Sequence, residues 1–321
     1  MQWDERIGRR LKLRDLHILL AVVEHGSMAK AASALAISQP AVSKAIADME
    51  YTLGLRLLDR ARHGMEPTAY GRALISRGAT VFDELRQAVE ELKFLADPTA
   101  GELRVGSSEA MAAGFLPAVI DRLSRQYPRV TSNVVQAVFT AMQYRELRER
   151  SIDLLLGRVF TPFREEDLAV EILFDDQVAV VVGAQSPWVR SRRLKLADLL
   201  DEPWILPPAD SVPGSLAVEI FRASGLQVPR APLTTLSIHL CLRMLATGRY
   251  VATLPRSILH FSGKDLSLKV LPIKLPAQPR PIGIVTLKNR TLSPVTGLFI
   301  NCARDVARPL VKDNSHERKS R

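Results

Sequence analysis

The feature that most constrains the fold of this chain is an apolar seam between residues 74 and 95. Apolar or small residues recur there at alternating spacings of four and three: Leu74, Gly78, Val81, Leu85, Ala88, Leu92 and Leu95. This heptad-like pattern predicts one long helix that pairs with a second copy of itself. We expect it to occupy residues 68–97 as a linker and dimerisation helix, which leaves residues 1–67 and 98–321 as separate domains.

The segment before the linker predicts a compact group of short helices. Residues 13–24 carry one apolar face at helical spacing, and Gly26 is placed to end that helix. Two further helices follow, with Ser27 and Ser38 at their expected N-caps, which indicates a helix-turn-helix over about residues 28–47. The basic stretch 60–64 then resembles a wing, a short loop that grips a nucleic-acid backbone.

The segment after the linker alternates between strand and helix patterns. Predicted strands at 103–106, 130–138 and 153–156 are separated by helices at 115–127 and 141–149, and this order implies a parallel sheet covered by helices. More strands follow at 177–182, 204–206, 250–253, 268–271 and 282–286, with helices predicted at 215–224 and 238–247. A last helix is expected from Pro294 to about Val311, and the polar tail 312–321 is expected to be disordered.

Charge, cysteines and the amino terminus limit the class of protein. The net charge is +10, but basic and acidic residues nearly balance in residues 1–97, so the charge does not locate a nucleic-acid site. Cys241 and Cys302 form no CxxC pair and predict buried, reduced thiols. Because no long apolar run or signal sequence is present, we expect a cytoplasmic protein. No catalytic, phosphate-binding or metal motif occurs, so we predict neither an enzyme nor a cofactor or metal site.

Several short motifs now identify the chain as similar to the LysR-type transcriptional regulators. The helix-turn-helix part of the resemblance consists of LRDL at 13–16, GSMAKAA at 26–32, SQPAVSK at 38–44, LGLRLLDR at 53–60 and PTAYG at 67–71. ELRVG at 102–106 and IDLLLGR at 152–158 resemble the effector domain. The resemblance implies a winged helix-turn-helix, a dimerising linker helix and a two-lobed α/β effector domain resembling type 2 periplasmic binding proteins.

The same resemblance implies which residues contact DNA. The recognition helix offers polar side chains that reach base edges or phosphates, and neighbouring residues offer contacts to phosphate. The expected contacts are Ser27, Gln39, Pro40, Ser43, Lys44, Arg60, Arg62 and Thr68. Lys44 stands where the family often has arginine, which keeps the charge but loses a bidentate fork. Each of these residues could instead belong to a solvated helix face or a helix cap.

Effector contacts are expected where strands end and helices begin, since open α/β sheets bind ligands there. The candidates are Ser107, Ser108, Thr140, Arg158, Pro213, Gly214, Ser215 and Ser237. Hydroxyls and free N–H groups at these places suit a carboxylate or another anion. Plain helix capping, or a structural ion pair for Arg158, is the alternative at each position.

The expected function is therefore transcription regulation in response to a small molecule, an organic or aromatic acid or a sugar derivative. The resemblance extends to a branch that regulates aromatic-acid or sugar-uptake genes. It implies a homodimer that assembles into a homotetramer on promoter DNA and recruits RNA polymerase. Two alternatives stay open: a cytoplasmic solute receptor whose first segment is an interaction domain, and a regulator that binds no effector.

Overall fold

A computed structural model describes residues 10–61, 64–136, 144–159, 162–262, 267–276 and 280–319. The chain divides into two compact units, Met1–Ala88 and Val89–Arg321, which we call unit 1 and unit 2. Within the described residues, no helix is both long enough and apolar enough to cross a membrane.

Unit 1 is built from short helices and a two-stranded hairpin. Its elements are α1 Leu13–His25, α2 Met28–Ala34, α3 Gln39–Leu53, β1 Leu58–Ala61, β2 Gly64–Pro67 and the first part of α4 Ala69–Ala96. The strands β1 and β2 pair antiparallel, as a wing requires. The apolar faces of the three short helices meet in one core that includes Leu19, Val22, Val42, Ile46 and Met49. The predicted winged helix-turn-helix is confirmed.

Backbone geometry explains the turns between these helices. Gly26 ends α1 in the left-handed region at φ 64°, where glycine carries no Cβ penalty. Ala36, in the turn between α2 and α3, also has a positive φ of 53°, which a residue with a side chain adopts at some cost. Ser38 caps α3 as predicted, because its hydroxyl accepts a hydrogen bond from the Ala41 N–H at 3.4 Å. Ser27 sits at the N-cap of α2, but its hydroxyl makes no capping bond within the described residues.

The wing is held by contacts that the sequence patterns did not indicate. One carboxylate oxygen of Glu50 on α3 accepts from the N–H groups of Leu57 and Leu58, at 2.7 and 3.2 Å. The N–H of Met65 in β2 donates to the carbonyl of Gly26 at 2.9 Å. The recognition helix therefore fixes the strand that leads into the wing, and the turn after α1 holds the returning strand.

The apolar seam predicted on the linker helix α4 is buried at its start and exposed farther along. Leu74 packs against the core of unit 1, and Gly78 lies so close to Leu16 that a Cβ would stand 2.9 Å from a methyl carbon. The start of the seam therefore packs within unit 1 and is not available to a second copy. Farther along, Leu92 and Leu95 are 66% and 71% exposed in the single chain. The apolar stripe available to a partner thus begins near Val81.

Unit 2 contains two five-stranded sheets, each part of one lobe. Lobe I holds β3 Ala100–Ser107, β4 Arg129–Gln136, β5 Leu154–Arg158, β6 Leu168–Asp176 and β12 Arg280–Leu287, in the order β4-β3-β5-β12-β6. Lobe II holds β7 Val178–Gly183, β8 Trp204–Leu206, β9 Leu233–Thr234, β10 Val251–Pro255 and β11 Leu268–Val270, in the order β11-β7-β10-β8-β9. The chain crosses between the lobes twice, from β6 to β7 and from β11 to β12.

Helices cover both sheets and connect their strands. They are α5 Glu109–Ala112, α6 Phe115–Gln126, α7 Arg145–Arg148, α8 Val212–Ala223, α9 Ile238–Leu245, α10 Arg256–Ser262 and α11 Pro294–Lys319. In lobe I, α6 and α11 bury Phe115 and Phe299 against the sheet. In lobe II, Trp204 and Phe221 make an edge-to-face pair with ring centres 5.2 Å apart.

The sheets are mixed, which corrects the prediction of a parallel sheet. Strands β3, β4 and β5 are parallel as expected, but β12 pairs antiparallel with both β5 and β6. No strand was predicted at Leu168–Asp176, where β6 lies, and no helix was predicted at α10. The start of α8 was predicted three residues too late, at Ser215. Finally, α11 extends to Lys319, beyond the end predicted near Val311, and the disorder expected for residues 312–321 stays a prediction.

Candidate functional site

The outer face of α3 presents the predicted polar side chains together. Gln39, Pro40, Ser43 and Lys44 are all exposed, while Val42, Ala45, Ile46 and Met49 on the opposite face are buried. Pro40 occupies the first turn of α3, where a proline costs no hydrogen bond. The helix thus offers amide, hydroxyl and ammonium groups on one exposed face, which suits a nucleic-acid groove.

The remaining predicted phosphate contacts differ in their exposure and in whether their polar groups already make hydrogen bonds. Arg60 is exposed on β1, and Ser27 is half-buried at the start of α2. The Thr68 hydroxyl is already used twice, since it donates to the Arg56 carbonyl at 2.8 Å and accepts from the Gly71 N–H at 3.0 Å. Thr68 is therefore confirmed as the cap of α4, and its phosphate contact stays a prediction. Arg62 lies outside the described residues.

A cavity of about 710 Å³ opens within unit 2, between lobes I and II. Much of its wall is apolar, with Met111, Ile205, Leu206, Leu254 and Ile282 among the contributors. Its polar and charged lining residues are Ser108, Glu109, Gln136, Arg158, Asp176, Asp210, Ser211, Thr235 and Ser237. An apolar wall with a few placed polar groups is the usual composition of a small-molecule site.

Four of the eight predicted effector residues line this cavity: Ser108, Arg158, Pro213 and Ser237. Ser108 and Ser237 also cap helices, by accepting from the N–H groups of Met111 and Leu240 at 3.4 and 3.3 Å. Capping uses one lone pair of each hydroxyl and leaves its proton free to donate.

Three predicted effector residues do not line the cavity. Ser107 is buried, and its hydroxyl donates to the Ser108 carbonyl. Gly214 is buried so tightly that a Cβ would meet the Pro208 carbonyl. Ser215 lies within the first turn of α8 because that helix starts at Val212, and Ser211 takes the N-cap position and the place in the wall instead. Thr140 lies outside the described residues, so its role stays a prediction.

Arg158 and Asp176 are charged wall residues at the ends of β5 and β6. The Arg158 Nε–H is buried and has no hydrogen-bond partner among the described residues. Burial lowers the pKa of this guanidinium, and the nearby charge of Asp176 only partly offsets that effect. Asp176, in contrast, accepts from the Ser257 N–H at 3.1 Å and the Ser257 hydroxyl at 2.6 Å. Burial still raises the pKa of Asp176.

Sequence reasoning did not select Glu109, Asp176 or Ser211, although all three line the cavity. Glu109 and Asp176 make hydrogen bonds to residues far along the chain, and no local pattern marks such partners. Cys241 is a further wall residue, and burial raises the pKa of its thiol to about 12. A thiol with so high a pKa is a neutral apolar surface at physiological pH rather than a reactive group.

Two family descriptions match the two units. Residues 13–72 match the bacterial regulatory helix-turn-helix of the lysR family. Residues 96–308 match the LysR substrate binding domain. The HTH-type transcriptional regulator GbpR of Azospirillum brasilense is 32% identical over 286 residues, which cover 89% of this chain and 83% of GbpR.

Solved structures share the fold. Full-length OxyR from Pseudomonas aeruginosa superposes with a TM-score of 0.67 at 21% identity, covering 93% of this chain and 97% of OxyR. Full-length CbnR in complex with its target DNA gives a TM-score of 0.61, also at 21% identity, covering 92% of this chain and all of CbnR. At this identity the likeness concerns the fold alone.

Proposed function

This chain belongs to the LysR family of bacterial transcriptional regulators, and we propose a separate function for each of its two units. As a family member it is a DNA-binding regulator with a C-terminal effector-binding domain. We propose that the exposed face of α3 reads the operator and that the cavity of unit 2 binds the effector. We assign it to the cytoplasm, where bacterial DNA lies, and assign no catalytic step to it.

Gln39, Ser43 and Lys44 carry the proposed DNA contact, and the further candidates are Pro40, Ser27, Arg60, Arg62 and Thr68. The support is the exposed polar face of α3 opposite its buried core face. A lost base contact costs about 1–3 kcal/mol, and a lost phosphate contact flattens the salt dependence by about one unit. We therefore expect Gln39→Ala and Lys44→Ala to weaken operator binding about tenfold or more.

The test uses the operator recovered by mapping where the full chain binds its genome. Lys195→Ala is the matched control, because it removes one exposed lysine charge from unit 2. Equal binding by wild type, the α3 variants and the control at physiological salt would place the recognition surface elsewhere.

The Arg158 guanidinium, which lines the cavity and whose buried Nε–H has no acceptor among the described residues, carries the proposal about the effector. The charged residues at the ends of β5 and β6 differ, since Asp176 has donors from Ser257 while the Arg158 Nε–H has no acceptor among the described residues. A buried donor without an acceptor costs about 1–3 kcal/mol. A ligand that supplies an oxygen acceptor removes that cost, and the apolar wall favours an apolar body. We therefore infer an organic acid, aromatic or aliphatic, rather than a sugar.

Thermal unfolding of the full chain tests the effector class. Benzoate and hexanoate should raise the melting temperature at millimolar concentration, whereas benzamide, hexanamide and galactose should not. Stabilisation by galactose with no response to either acid would reject the acid class and favour a sugar derivative.

The last part of the proposal concerns the oligomer that α4 forms. Val81, Leu85, Val89, Leu92 and Leu95 form an exposed apolar stripe on α4, which a second copy would cover. We propose a homodimer through this stripe that assembles further into a homotetramer, binds two half-sites and contacts RNA polymerase. Sedimentation of Leu92→Asp should then give a folded species of lower mass, and an unchanged mass would remove α4 from the interface.

A further inference from the structure

Lobe II carries a large excess of positive charge. Residues 177–276, which contain the strands β7 to β11, hold 12 Lys and Arg against 6 Asp and Glu. Residues 98–176, which supply four of the five strands of lobe I, hold 9 against 12. The exposed arginines of lobe I are also largely neutralised by ion pairs with nearby acids, as at Arg125, Arg129, Arg145, Arg148, Arg304 and Arg308.

Six exposed cations of lobe II gather at one end of its sheet. Four of them lie in the connection between β7 and β8, and the other two lie just before β10 and within β11. Since β10 and β11 both run antiparallel to β7, the end of β7 is adjacent to the starts of β10 and β11. The Ala184 N–H, after β7, accordingly donates to the Ser267 carbonyl, before β11, at 2.7 Å. We call this surface the basic end; it consists of Arg190, Arg192, Arg193, Lys195, Arg249 and Lys269.

The basic end lies away from the effector cavity. Strand β10 starts beside it at Val251 and finishes at Pro255, and Thr253, Leu254 and Pro255 line the cavity. A large partner can therefore contact the basic end without covering the cavity.

The cations of the basic end form no ion pairs within the described residues. The acids of the same connection, Asp198, Asp201 and Glu202, form none there either. Asp198 instead accepts from the main-chain N–H of Lys195 at 2.8 Å. Unpaired like charges repel one another, and a polyanion that contacts several of them at once relieves that repulsion.

The chemistry of the basic end favours a nucleic-acid backbone over an acidic protein. Arginine presents a planar fork of donors that matches the oxygens of a phosphate. The connection 184–203, all of it described, exposes no large apolar side chain of the kind that anchors a protein interface. Residues 1–97, which include the recognition helix, are nearly balanced in charge, so most of the general attraction of this chain for DNA comes from unit 2.

We propose that the basic end of lobe II is a second DNA-binding surface, which contacts phosphates of the duplex beside the operator. The inference adds to the operator contact proposed for α3 and does not depend on the class of effector. Phosphate contacts fix position but carry no sequence information. Because unit 1 occupies the operator, the basic end adds affinity only on DNA that extends beyond it.

A full-length variant that combines Arg190→Ala, Arg192→Ala and Arg193→Ala tests the surface on two DNA fragments. One fragment ends at the operator, and the other extends well beyond it on both sides. On the long fragment we expect about tenfold weaker binding than wild type, and a salt dependence flatter by about two units or more, because each lost phosphate contact removes about 0.9 unit. On the short fragment, this variant and Lys195→Ala should bind as wild type does.

The matched control is a full-length variant that combines Arg125→Ala, Arg145→Ala and Arg308→Ala. It removes the same charge from exposed arginines of lobe I, each of which is paired with an acid. Both its affinity and its salt dependence should equal those of wild type on both fragments. Equal losses in the two triple variants would show an effect of total charge and overturn the inference.

Three further results would overturn it. Wild-type binding that does not strengthen on the long fragment excludes a contact beside the operator. Unchanged binding of the lobe II variant to the long fragment removes DNA as the partner and leaves an acidic protein surface in its place. An equal loss on both fragments places the contact within the operator. Unchanged binding of Gln39→Ala and Lys44→Ala to the short fragment would instead reject the proposed role of α3, and the comparison of the two fragments would still stand.

Discussion

Two arginine side chains lie near opposite ends of β5, and they differ in how their hydrogen bonds are satisfied. Near the start of β5, the fully buried side chain of Arg290 donates to the Ile152 carbonyl at 2.6 Å and to Asp153 at 2.8 Å. Asp153 also accepts from the main-chain N–H and the guanidinium of Arg104, each at 2.8 Å. At the far end, the Nε–H of Arg158 is buried with no acceptor among the described residues.

The difference separates a structural charge from a functional one. A buried ion pair with its hydrogen bonds complete holds elements together, and removing one partner leaves an uncompensated charge. A buried donor without an acceptor destabilises the free protein, and is understandable where a ligand completes it. Arg290 therefore contributes to the stability of lobe I, and we propose Arg158 as a contact to the ligand.

The largest effect is expected from a substitution of Arg290, near the start of β5. Arg290→Met keeps similar length but leaves Asp153 and the Ile152 carbonyl without this donor. We expect the free energy of unfolding of unit 2 to fall by about 3–5 kcal/mol. Chemical denaturation checks the value. A loss below about 1 kcal/mol would show that the Arg290 pair is not a structural element.

A smaller effect is expected from Asp153→Asn, and it carries a pH signature. Burial raises the pKa of Asp153, but the hydrogen bonds and charges of Arg104 and Arg290 outweigh it and hold the pKa below its ordinary value of 3.8. A lowered pKa contributes stability that is present above 3.8 and is lost as pH falls through the native value. We expect the variant to lose about 3 kcal/mol at neutral pH. Its unfolding should also depend less on pH below 4 than that of wild type, and an identical acid profile would contradict this role.

The sequence predicted unit 1 better than unit 2, for a physical reason. The helices of unit 1 are specified by neighbours: apolar spacing for α1 and α3, Gly26 as a stop and Ser38 as a cap. The pairing of β12 between β5 and β6 depends instead on contacts more than a hundred residues apart, so an alternating order of strands and helices suggested a parallel sheet. The start of α8 was missed for a local reason, because Ser211 rather than Ser215 accepts the N-cap hydrogen bond.

The sequence could predict only those cavity residues whose positions follow from neighbouring residues. Ser108 and Ser237 are caps at strand-to-helix junctions, and a pattern can find them. Glu109 and Asp176 take their meaning from Ile238 and Ser257, which are distant in sequence. Arg158 was selected, but only the structure shows that its buried Nε–H has no acceptor among the described residues.

Ser257→Ala tests how much the buried carboxylate of Asp176 depends on its hydrogen bond from Ser257. The Ser257 hydroxyl donates to Asp176 at 2.6 Å, and both residues are buried. Its removal should cost about 1–2 kcal/mol and raise the pKa of Asp176 further, since the remaining donors compensate burial less well. Denaturation at neutral pH measures the loss. No loss would mean that solvent already satisfies Asp176, and that only the Arg290 end of the sheet is tightly paired.

The most direct test of the account is Arg158→Met, the same substitution as at Arg290 and at the other end of β5. Denaturation and calorimetry with benzoate and hexanoate would be measured on the same full-length sample. We expect the free energy of unfolding to stay within about 1 kcal/mol of wild type, because no acceptor among the described residues loses a hydrogen bond from the Arg158 Nε–H. Acid affinity should fall about tenfold or more, because a charged hydrogen bond to ligand is worth about 1.5–3 kcal/mol. A variant that loses about 3 kcal/mol of stability and binds both acids as wild type does would contradict the assignment of Arg158 to the effector.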